Sequence, residues 1–374
     1  MPKSSTKIDK YKRKPKSELR KPSISPDNKK YTFTGRFRRS RVSQLVVWEI
    51  KNNSTGALGG WISSEHNLSY DGKCWVDTGA IVAHKARVSG DAQVGGEAKV
   101  YNKSHVGGTS RVRGRGRVCG TASVTEAAEV TGDGHISGGV LSENARLTGG
   151  KIMAGAVGGN SEVSGGSIAG EAWIEGFAKI SGGIVMGGII AGSASISGGE
   201  IYDDPKINGG DISGGVIRGN AWIWGSPKIE GGLISHGKIS GEACISESAR
   251  IEGGTITGNA LVTGHALIKE DCRVEGGSVR GGVVKGEARV IGGEVIGGEI
   301  SESAEISGHA MVLNDAEIYG KAEVSGGVVS GGRIFGYAKV SGTSFVSGGD
   351  VKGHAVVQGE AQVAGGEVRG KAVV

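Results

Sequence analysis

Residues 325–340 read SGGVVSGGRIFGYAKV and contain the two kinds of unit from which most of the chain is built. SGGVV and SGGRI have five residues, FGYAKV has six, and each unit closes on an aliphatic residue. Marking this closing residue, which we call the ladder residue, gives an unbroken series from Val76 to Val374. The series has 53 steps, 33 of six residues and 20 of five, so one repeat architecture spans these 299 residues.

The two units share one inward-facing pattern. In all 33 six-residue units the residue two places before the ladder residue is small, and in 24 of them it is Ala. In all 20 five-residue units that position is Gly. Residues i and i−2 of an extended segment face the same side, so the ladder residue and the small residue point inward together. Side chains from different sides then meet near a narrow axis, where only a small residue fits.

This pattern predicts an all-β, single-stranded parallel β-solenoid with one short strand per unit and three units per coil. With three sides, the series makes about 18 coils. Coils stack at the spacing of neighbouring strands, about 4.8 Å, which gives a rod of roughly 85 Å. Whether the five-residue units keep a three-sided coil is left open by the sequence.

Composition excludes several other classes. Gly accounts for 72 of 374 residues but Pro for only 6, without the strict triplet period of collagen. No apolar run is long enough to span a membrane, and the N-terminus lacks the apolar stretch of a secretory signal. The four Cys are scattered and form no metal-binding pair. We therefore expect a cytoplasmic or virion protein with no metal site.

Charge and residue pattern together divide the chain into three predicted regions. Residues 1–43 carry 15 Lys and Arg against three acidic residues, while the whole chain has a formal charge of +6, so the remainder is acidic. Residues 1–30 are polar and Pro-containing and are predicted to be a basic flexible tail. Residues 31–75 alternate apolar and polar residues and are predicted to be a small β cap, followed by the solenoid over 76–374.

The basic residues near the N-terminus are candidates for binding an anionic partner, because clustered cations can neutralise phosphates or dock on an acidic surface. The alternative is a solubilising tail and face. The candidates are Lys10, Lys12, Arg13, Lys14, Arg36, Arg38, Arg39, Arg41, Arg111, Arg113, Arg115 and Arg117.

Two outward tryptophans form a second candidate surface. Trp173 and Trp222 each precede a ladder residue and are nine steps apart, which places them on one face, three coils apart, if coils have three sides. With Trp224 they suggest an aromatic strip for glycan or protein contact. The alternative is that they are isolated exposed aromatic residues, which are common.

The tract 59–94, GGWISSEHNLSYDGKCWVDTGAIVAHKARVSGDAQV, carries a family resemblance. It resembles the YdcK-like hexapeptide-repeat proteins of bacteria and bacteriophages, which open with a GGW…NLS…G.CWV segment before the repeats. The matching residues are Gly59, Gly60, Trp61, Asn67, Leu68, Ser69, Gly72, Cys74 and Trp75. The resemblance implies a left-handed β-helix and, by analogy, a coenzyme-A-dependent acyltransferase. The five-residue units and the basic tail depart from that family's plain hexapeptide pattern.

An acyltransferase of this kind would need a His general base. His66 and His84, near the cap, are the candidates, since the other histidines are expected to be solvent-facing. No inserted loop interrupts the repeats to shape a coenzyme A groove, which favours a protein that is not an enzyme.

We therefore predict a non-enzymatic structural or interaction rod, such as a scaffold or phage virion component, anchored through its basic N-terminal tail. No cofactor is expected, and coenzyme A applies only under the acyltransferase alternative; a nucleic-acid-associated protein is a third possibility. The last unit keeps the full repeat pattern, which predicts contact of the C-terminal end and rod faces with an assembly or with further copies, for example as a trimer.

Overall fold

The computed structural model describes residues 21–41, 43–202 and 204–374, and it confirms the predicted all-β parallel solenoid of about 18 coils. Every strand of the shaft pairs with the third strand before it and the third after it, so each coil has three sides. No helix among the described residues is both long and apolar enough to cross a membrane.

The cap consists of three strands and one short helix. Strands β1 (Tyr31–Arg39), β2 (Val46–Asn52) and β3 (Leu58–Ile62) form an antiparallel meander, and a 3-10 turn covers Glu65–Asn67. β3 also pairs in parallel with the solenoid strand Ile81–Val82, matching Ile62 with Val82, and Leu68 bridges Val88. The ladder therefore begins inside the predicted cap, which serves as an incomplete first coil.

Residues 21–30, which the sequence assigns to the flexible tail, lie against this cap. The Ser25 amide donates to a Glu65 carboxylate oxygen at 2.8 Å. The Lys30 ammonium donates to the carbonyl oxygens of Ser69 and Gly72, both at 3.0 Å. These hydrogen bonds hold residues 25–30 against the cap and the first coil despite the polar composition of this segment. The rest of the predicted tail, residues 1–20, lies outside the described residues.

The shaft has three faces, named here by chain order. Face 1 consists of the strands Trp75–Val76, Gln93–Val94, Arg111–Val112, Glu129–Val130, Arg146–Leu147, Glu162–Val163, Lys179–Ile180, Ser195–Ile196, Asp211–Ile212, Lys228–Ile229, Cys244–Ile245, Leu261–Val262, Ser278–Val279, Glu294–Val295, Met311–Val312, Val328–Val329, Phe345–Val346 and Gln362–Val363.

Face 2 consists of Ile81–Val82, Lys99–Val100, Arg117–Val118, His135–Ile136, Lys151–Ile152, Ser167–Ile168, Ile184–Val185, Glu200–Ile201, Val216–Ile217, Leu267–Ile268, Val283–Val284, Glu299–Ile300, Glu317–Ile318, Arg333–Ile334, Asp350–Val351 and Glu367–Val368. Two longer strands, Leu233–Ile239 and Arg250–Ile256, continue around a corner and belong to both face 2 and face 3.

Face 3 consists otherwise of Arg87–Val88, His105–Val106, Ser123–Val124, Val140–Leu141, Ala156–Val157, Trp173–Ile174, Ile189–Ile190, Lys206–Asn208, Ala221–Trp224, Arg273–Val274, Arg289–Val290, Glu305–Ile306, Glu323–Val324, Lys339–Val340 and Val356–Val357.

Five-residue sides keep the three-sided coil and shorten it. Val112 pairs with Val130 across an 18-residue coil, Val130 with Leu147 across 17 residues, and Leu147 with Val163 across 16. The register of the ladder is the same in all three cases. A short side therefore tightens one corner without moving the ladder residue out of its column.

The glycines at positions 327 and 336 show how the corners differ. In the side SGGVV the left-handed residue is Gly327 (φ +74°), the inward position two before the ladder residue, where a Cβ would lie 2.4 Å from the Ser344 carbonyl oxygen. In FGYAKV it is Gly336 (φ +74°), four before the ladder residue, where the nearest atom would be at 3.1 Å. The corner position of six-residue sides also holds Asn102 and Glu126 with positive φ, so residues other than Gly occupy it. In the short side SGGVV the left-handed residue is the inward position, which is Gly in all 20 short sides.

The core is a single column of aliphatic side chains along the axis. Ladder residues from Val76 to Val357 are buried, together with the Ala residues two places before them. The first ten ladder residues are all Val and follow only six-residue sides, whereas Ile predominates from 136 to 256, where short sides are frequent. A Gly in place of Ala removes an inward methyl group. Beyond Ile256, however, six of the eight short sides close on Val, so an Ile is not required to fill that space.

Candidate anion-binding face

Face 2 carries four basic side chains in successive coils. Lys99, Arg117, His135 and Lys151 occupy the outward position before each ladder residue and pair in register, Lys99 with Arg117, Arg117 with His135, and His135 with Lys151. We call these four residues the basic column. The ion pairs found among the described residues include none of its members, although each neighbours the next at strand spacing, about 4.8 Å.

The cap extends the basic column toward the N-terminus. Arg38, Arg39 and Arg41 join Lys99 around a pocket of about 370 Å³ that Ile81 and Glu97 also line. We call it the cap pocket. Four cations against one carboxylate leave it strongly positive, so it is suited to an anionic group.

Local contacts hold these cap arginines in place. The Arg38 guanidinium lies over the Trp61 ring, 4.4 Å from its centroid, and donates to the Gly79 carbonyl oxygen at 3.3 Å. Burial lowers the pKa of Arg38. Arg39 donates to the Gln44 carbonyl oxygen at 3.3 Å. Neither contact neutralises the charge, which stays available to a ligand.

Other predicted arginines are neutralised within the protein. Arg36 pairs with Glu49 at 3.5 Å, Arg111 with Glu129 at 3.5 Å and Arg115 with Asp133 at 2.7 Å. The structure thus separates the twelve basic candidates. It brings Arg38, Arg39, Arg41 and Arg117 to one side of the rod, whereas Arg111 and Arg113 lie on face 1. Lys10, Lys12, Arg13 and Lys14 lie outside the described residues.

Sequence reasoning missed Lys99, His135 and Lys151. Their signal is positional, since each precedes a ladder residue and each is separated from the next by one coil. Tracing every third step from Lys99 finds them once three-sided coils are assumed throughout.

A Cys and a Tyr adjoin the basic column. The Cys119 thiol lies 3.3 Å from His135 Nε2. Burial is the main reason that the pKa of His135 is lowered, and the neighbouring charges of Arg117 and Lys151 lower it further. Burial and a hydrogen bond with Cys119 raise the pKa of Tyr101 to about 12. His135 is therefore held toward its neutral form by the same charges that an anionic ligand would neutralise.

A similar contact joins two coils on face 3. Ser89 Oγ lies 2.9 Å from His105 Nε2, and burial followed by the charge of Arg87 lowers the pKa of His105. Nucleophilic catalysis by a Ser–His or Cys–His pair normally needs a further group that orients the His. In the described part of the chain, no His ring hydrogen-bonds to a carboxylate. These pairs therefore tie adjacent coils together.

His66 and His84, the predicted catalytic candidates, line the same groove beside the 3-10 turn. The groove measures about 740 Å³ and also includes Asp71 and Arg87. His84 has φ +58° at a corner, and its Nδ1 accepts a hydrogen bond from the Asn102 amide at 3.4 Å. The fold therefore places the two histidines in one groove, whose lining also contains the charged residues Lys85 and Arg87.

The structure places the predicted tryptophans on face 3. Trp173 pairs in register with Ile189, Ile189 with Lys206, and Lys206 with Trp222. The two tryptophans therefore share a column and lie three coils apart. Trp224 packs on Trp222 with ring centroids 5.4 Å apart. Trp173 and Trp222 are 56% and 47% exposed, so both present a free aromatic surface.

Among the described residues, no three His, Cys, Asp or Glu side chains converge in a way that could hold a metal ion.

No protein-family model matches the chain, and comparison with curated proteins likewise finds no match. The class defined by the structure is therefore that of the fold, a long parallel β-solenoid with a basic N-terminal end.

Proposed function

We propose that this protein is a non-enzymatic structural rod that attaches to an anionic partner through its N-terminal end. The attachment surface consists of the basic column, the cap pocket and the Lys- and Arg-rich N-terminal segment. The shaft of about 18 coils is then a rigid spacer, roughly 85 Å long, between that partner and whatever binds the faces and the far end.

The basic column is the observation that carries this proposal. Like charges directly opposite on neighbouring strands destabilise a sheet. Folding does not require basic residues at these solvent-facing positions. On face 1 of the same coils, the acidic residue Glu129 lies between Arg111 and Arg146 and pairs with both. An anion bound across Lys99, Arg117 and Lys151 would remove the repulsion, so an unfavourable arrangement of the free protein becomes favourable in the complex.

The resemblance to YdcK-like proteins of bacteria and bacteriophages supports a finer proposal. A phage virion or a bacterial scaffold would use such a rod, with further copies or other components contacting its faces. Acidic protein surfaces and nucleic acid are both polyanions that occur in those assemblies, and the basic column suits either.

The test is binding of two polyanions by the full-length protein. Fluorescent oligothymidylate and fluorescent poly-glutamate are titrated separately at low and at high salt. We expect salt-sensitive binding of at least one, weakened by Arg117→Gln combined with Lys151→Gln. The matched control is Arg111→Gln combined with Arg115→Gln, whose side chains already pair with Glu129 and Asp133.

The outcomes separate the partner classes. Binding of oligothymidylate alone identifies a nucleic-acid-associated protein, whereas binding of both probes supports docking on acidic surfaces. The proposal fails if neither probe binds at low salt, or if the control variant loses as much affinity as the face 2 variant.

The shared groove of His66 and His84 favours one second candidate, the coenzyme-A-dependent acyltransferase. Its basic residues Lys85 and Arg87 could receive the phosphates of coenzyme A. Saturable binding of acetyl-coenzyme A, together with acetyl transfer to an acceptor that His84→Ala reduces, would support it. No binding, or transfer that is unchanged in that variant, would exclude it.

A further inference from the structure

A notch on face 3 lies along the column of tryptophans. It has a volume of about 500 Å³ and reaches across three coils. The side chains that line it are Ile189, Asp204, Lys206, Asn220 and Trp222, with Gly188 at its edge. We call it the tryptophan notch.

The notch arises from the change between short and long sides. The side 186–190 has five residues and turns its corner with two glycines, whereas the next two sides, 202–207 and 218–223, have six. The extra residue lets Asp204 and Asn220 project, and both side chains are exposed. Together with the corner at Gly188 they border the concave surface.

One wall of the notch is aromatic. Trp222 is held by packing against Trp224, and Lys206 Nζ lies 5.8 Å from the centroid of its ring. Ile189, 45% exposed, stands two coils away in the same column. A fixed, exposed indole ring offers a flat apolar platform with little rotamer entropy left to lose.

The polar groups of the notch balance in charge. Asp204 provides a carboxylate acceptor, Lys206 an ammonium donor, and Asn220 an amide with both functions. Because Lys206 is positive and Asp204 is negative, the notch favours neither an anionic nor a cationic ligand. Its polar groups match a neutral ligand rich in hydroxyls, which both donate and accept, and the indole selects one with an apolar face. A pyranose ring has both properties.

Trp173 provides a second aromatic platform on the same column. It lies one coil before Ile189 and three coils, roughly 14 Å, from Trp222. Its ring nitrogen donates to Glu175 Oε2 at 3.0 Å, which fixes the ring. Between the two tryptophans the column contains Ile189 and Lys206. A linear ligand of several sugar rings that passes over these two residues could touch both tryptophans.

We propose that the tryptophan notch binds a neutral oligosaccharide, which stacks one pyranose on Trp222, contacts Asp204 and Asn220 through hydroxyls, and runs along face 3 toward Trp173. The site is independent of the anionic surface on face 2.

The test uses the full-length protein on an array of neutral oligosaccharides built from hexoses and N-acetylhexosamines, with sialylated and sulfated glycans as ionic probes. We expect retention of at least one neutral class. For the retained oligosaccharide, calorimetric titration should give an affinity reduced roughly tenfold by Trp222→Ala. Asn220→Ala should give a smaller loss.

Phe345→Ala is the matched control, because Phe345 is an exposed aromatic residue, 41% accessible, on face 1. The Phe345→Ala variant should bind the oligosaccharide as tightly as the unmodified protein does. Thermal unfolding should show that all three variants fold. Retention of no neutral glycan, binding only to ionic glycans, or equal losses in the Trp222 and Phe345 variants would overturn the proposal.

Discussion

Faces 1 and 2 present the same kinds of basic residue at the same coil spacing but arrange them in opposite ways. On face 1, Arg111, Glu129, Arg146, Glu162 and Lys179 alternate in sign along one column, which we call the alternating column. Glu129 pairs with Arg111 at 3.5 Å and with Arg146 at 3.6 Å. On face 2, the basic column has no acidic member.

The difference shows which part of the surface is constrained by folding and which is not. Outward positions of a solenoid are free of core packing, so alternation is the arrangement that stability alone favours. Four basic residues in succession give up that gain. Like charges also pair in register elsewhere on the shaft, Arg273 with Arg289 and Glu299 with Glu317. The basic column differs from these pairs because it adjoins the positive cap pocket, and departures from a local stability rule are expected at functional sites.

The largest expected effect comes from reversing charge on face 2. Arg117→Glu combined with Lys151→Glu removes two cations and inserts two anions into the binding surface. We expect polyanion affinity at low salt to fall by about a hundredfold or more, measured by fluorescence titration. A loss of polyanion affinity smaller than threefold would mean that the Lys- and Arg-rich N-terminal segment binds the polyanion without the basic column.

The same reversal on face 1 should affect folding instead of binding. Arg111→Glu combined with Arg146→Glu places Glu129 between two acidic residues and breaks both of its ion pairs. Because these pairs are partly exposed, we expect the free energy of unfolding to fall by only about 1 kcal/mol. Polyanion affinity should change less than twofold, and chemical denaturation together with titration measures both. A binding loss as large as that on face 2 would erase the distinction between the columns.

Polyanion binding should strengthen as the pH falls from about 7.5 to 5.5. His135 faces Arg117 and Lys151 in its column and the Cys119 thiol, and its pKa in the free protein is lowered by burial and by the two charges. A bound polyanion offsets those charges and raises the pKa, so the complex takes up a proton and acid favours binding. We expect a change of a few-fold beyond that of the His135→Gln variant. Identical pH profiles would place the polyanion away from His135.

The same histidines predict a small loss of stability in acid. The folded-state pKa values of His105 and His135 lie below the unfolded value of about 6.5. The unfolded chain then binds more protons, so the free energy of unfolding decreases as the pH falls through this range. Replacing both with Gln should flatten the dependence between pH 7 and 5.5, as measured by thermal unfolding. An unchanged slope would assign the acid sensitivity to other groups.

The smallest expected effect is a gain of stability from one acid on face 2. Arg117→Glu alone removes the repulsion between Lys99 and Arg117 and places an acidic side chain between Lys99 and His135. We expect unfolding to cost about 0.2–1 kcal/mol more, visible as a higher denaturation midpoint at low salt. A decrease would show that the basic column is compensated within the folded protein.

Much of the fold follows from sequence because the ladder is a strict rule. Val, Ile or Leu at the closing position and a small residue two places earlier predict the buried column, the three faces and the common face of Trp173 and Trp222. The pairing of Ile62 with Val82 and of Leu68 with Val88 did not follow, because both residues lie before the unbroken series that begins at Val76. The contacts of Lys30 with the first coil carry no sequence signal either.

The candidate site was less predictable for a related reason. The coil length decides which outward residues pair in register, for example that Arg111 pairs with Glu129 and Arg117 with His135. Coil length varies between 16 and 18 residues wherever short sides occur, so partners can be assigned only after the three-sided register is known. The tryptophan notch likewise depends on the order of short and long sides in successive coils.

The most direct measurement of the central claim is the salt dependence of oligothymidylate binding by the full-length protein and by one variant. The variant replaces Lys99, Arg117, His135 and Lys151 with Gln. If the basic column binds the polyanion, removing its three permanent cations should reduce the slope of log affinity against log salt by about 2. An unchanged slope and affinity would contradict the account and restrict anion binding to the rest of the molecule.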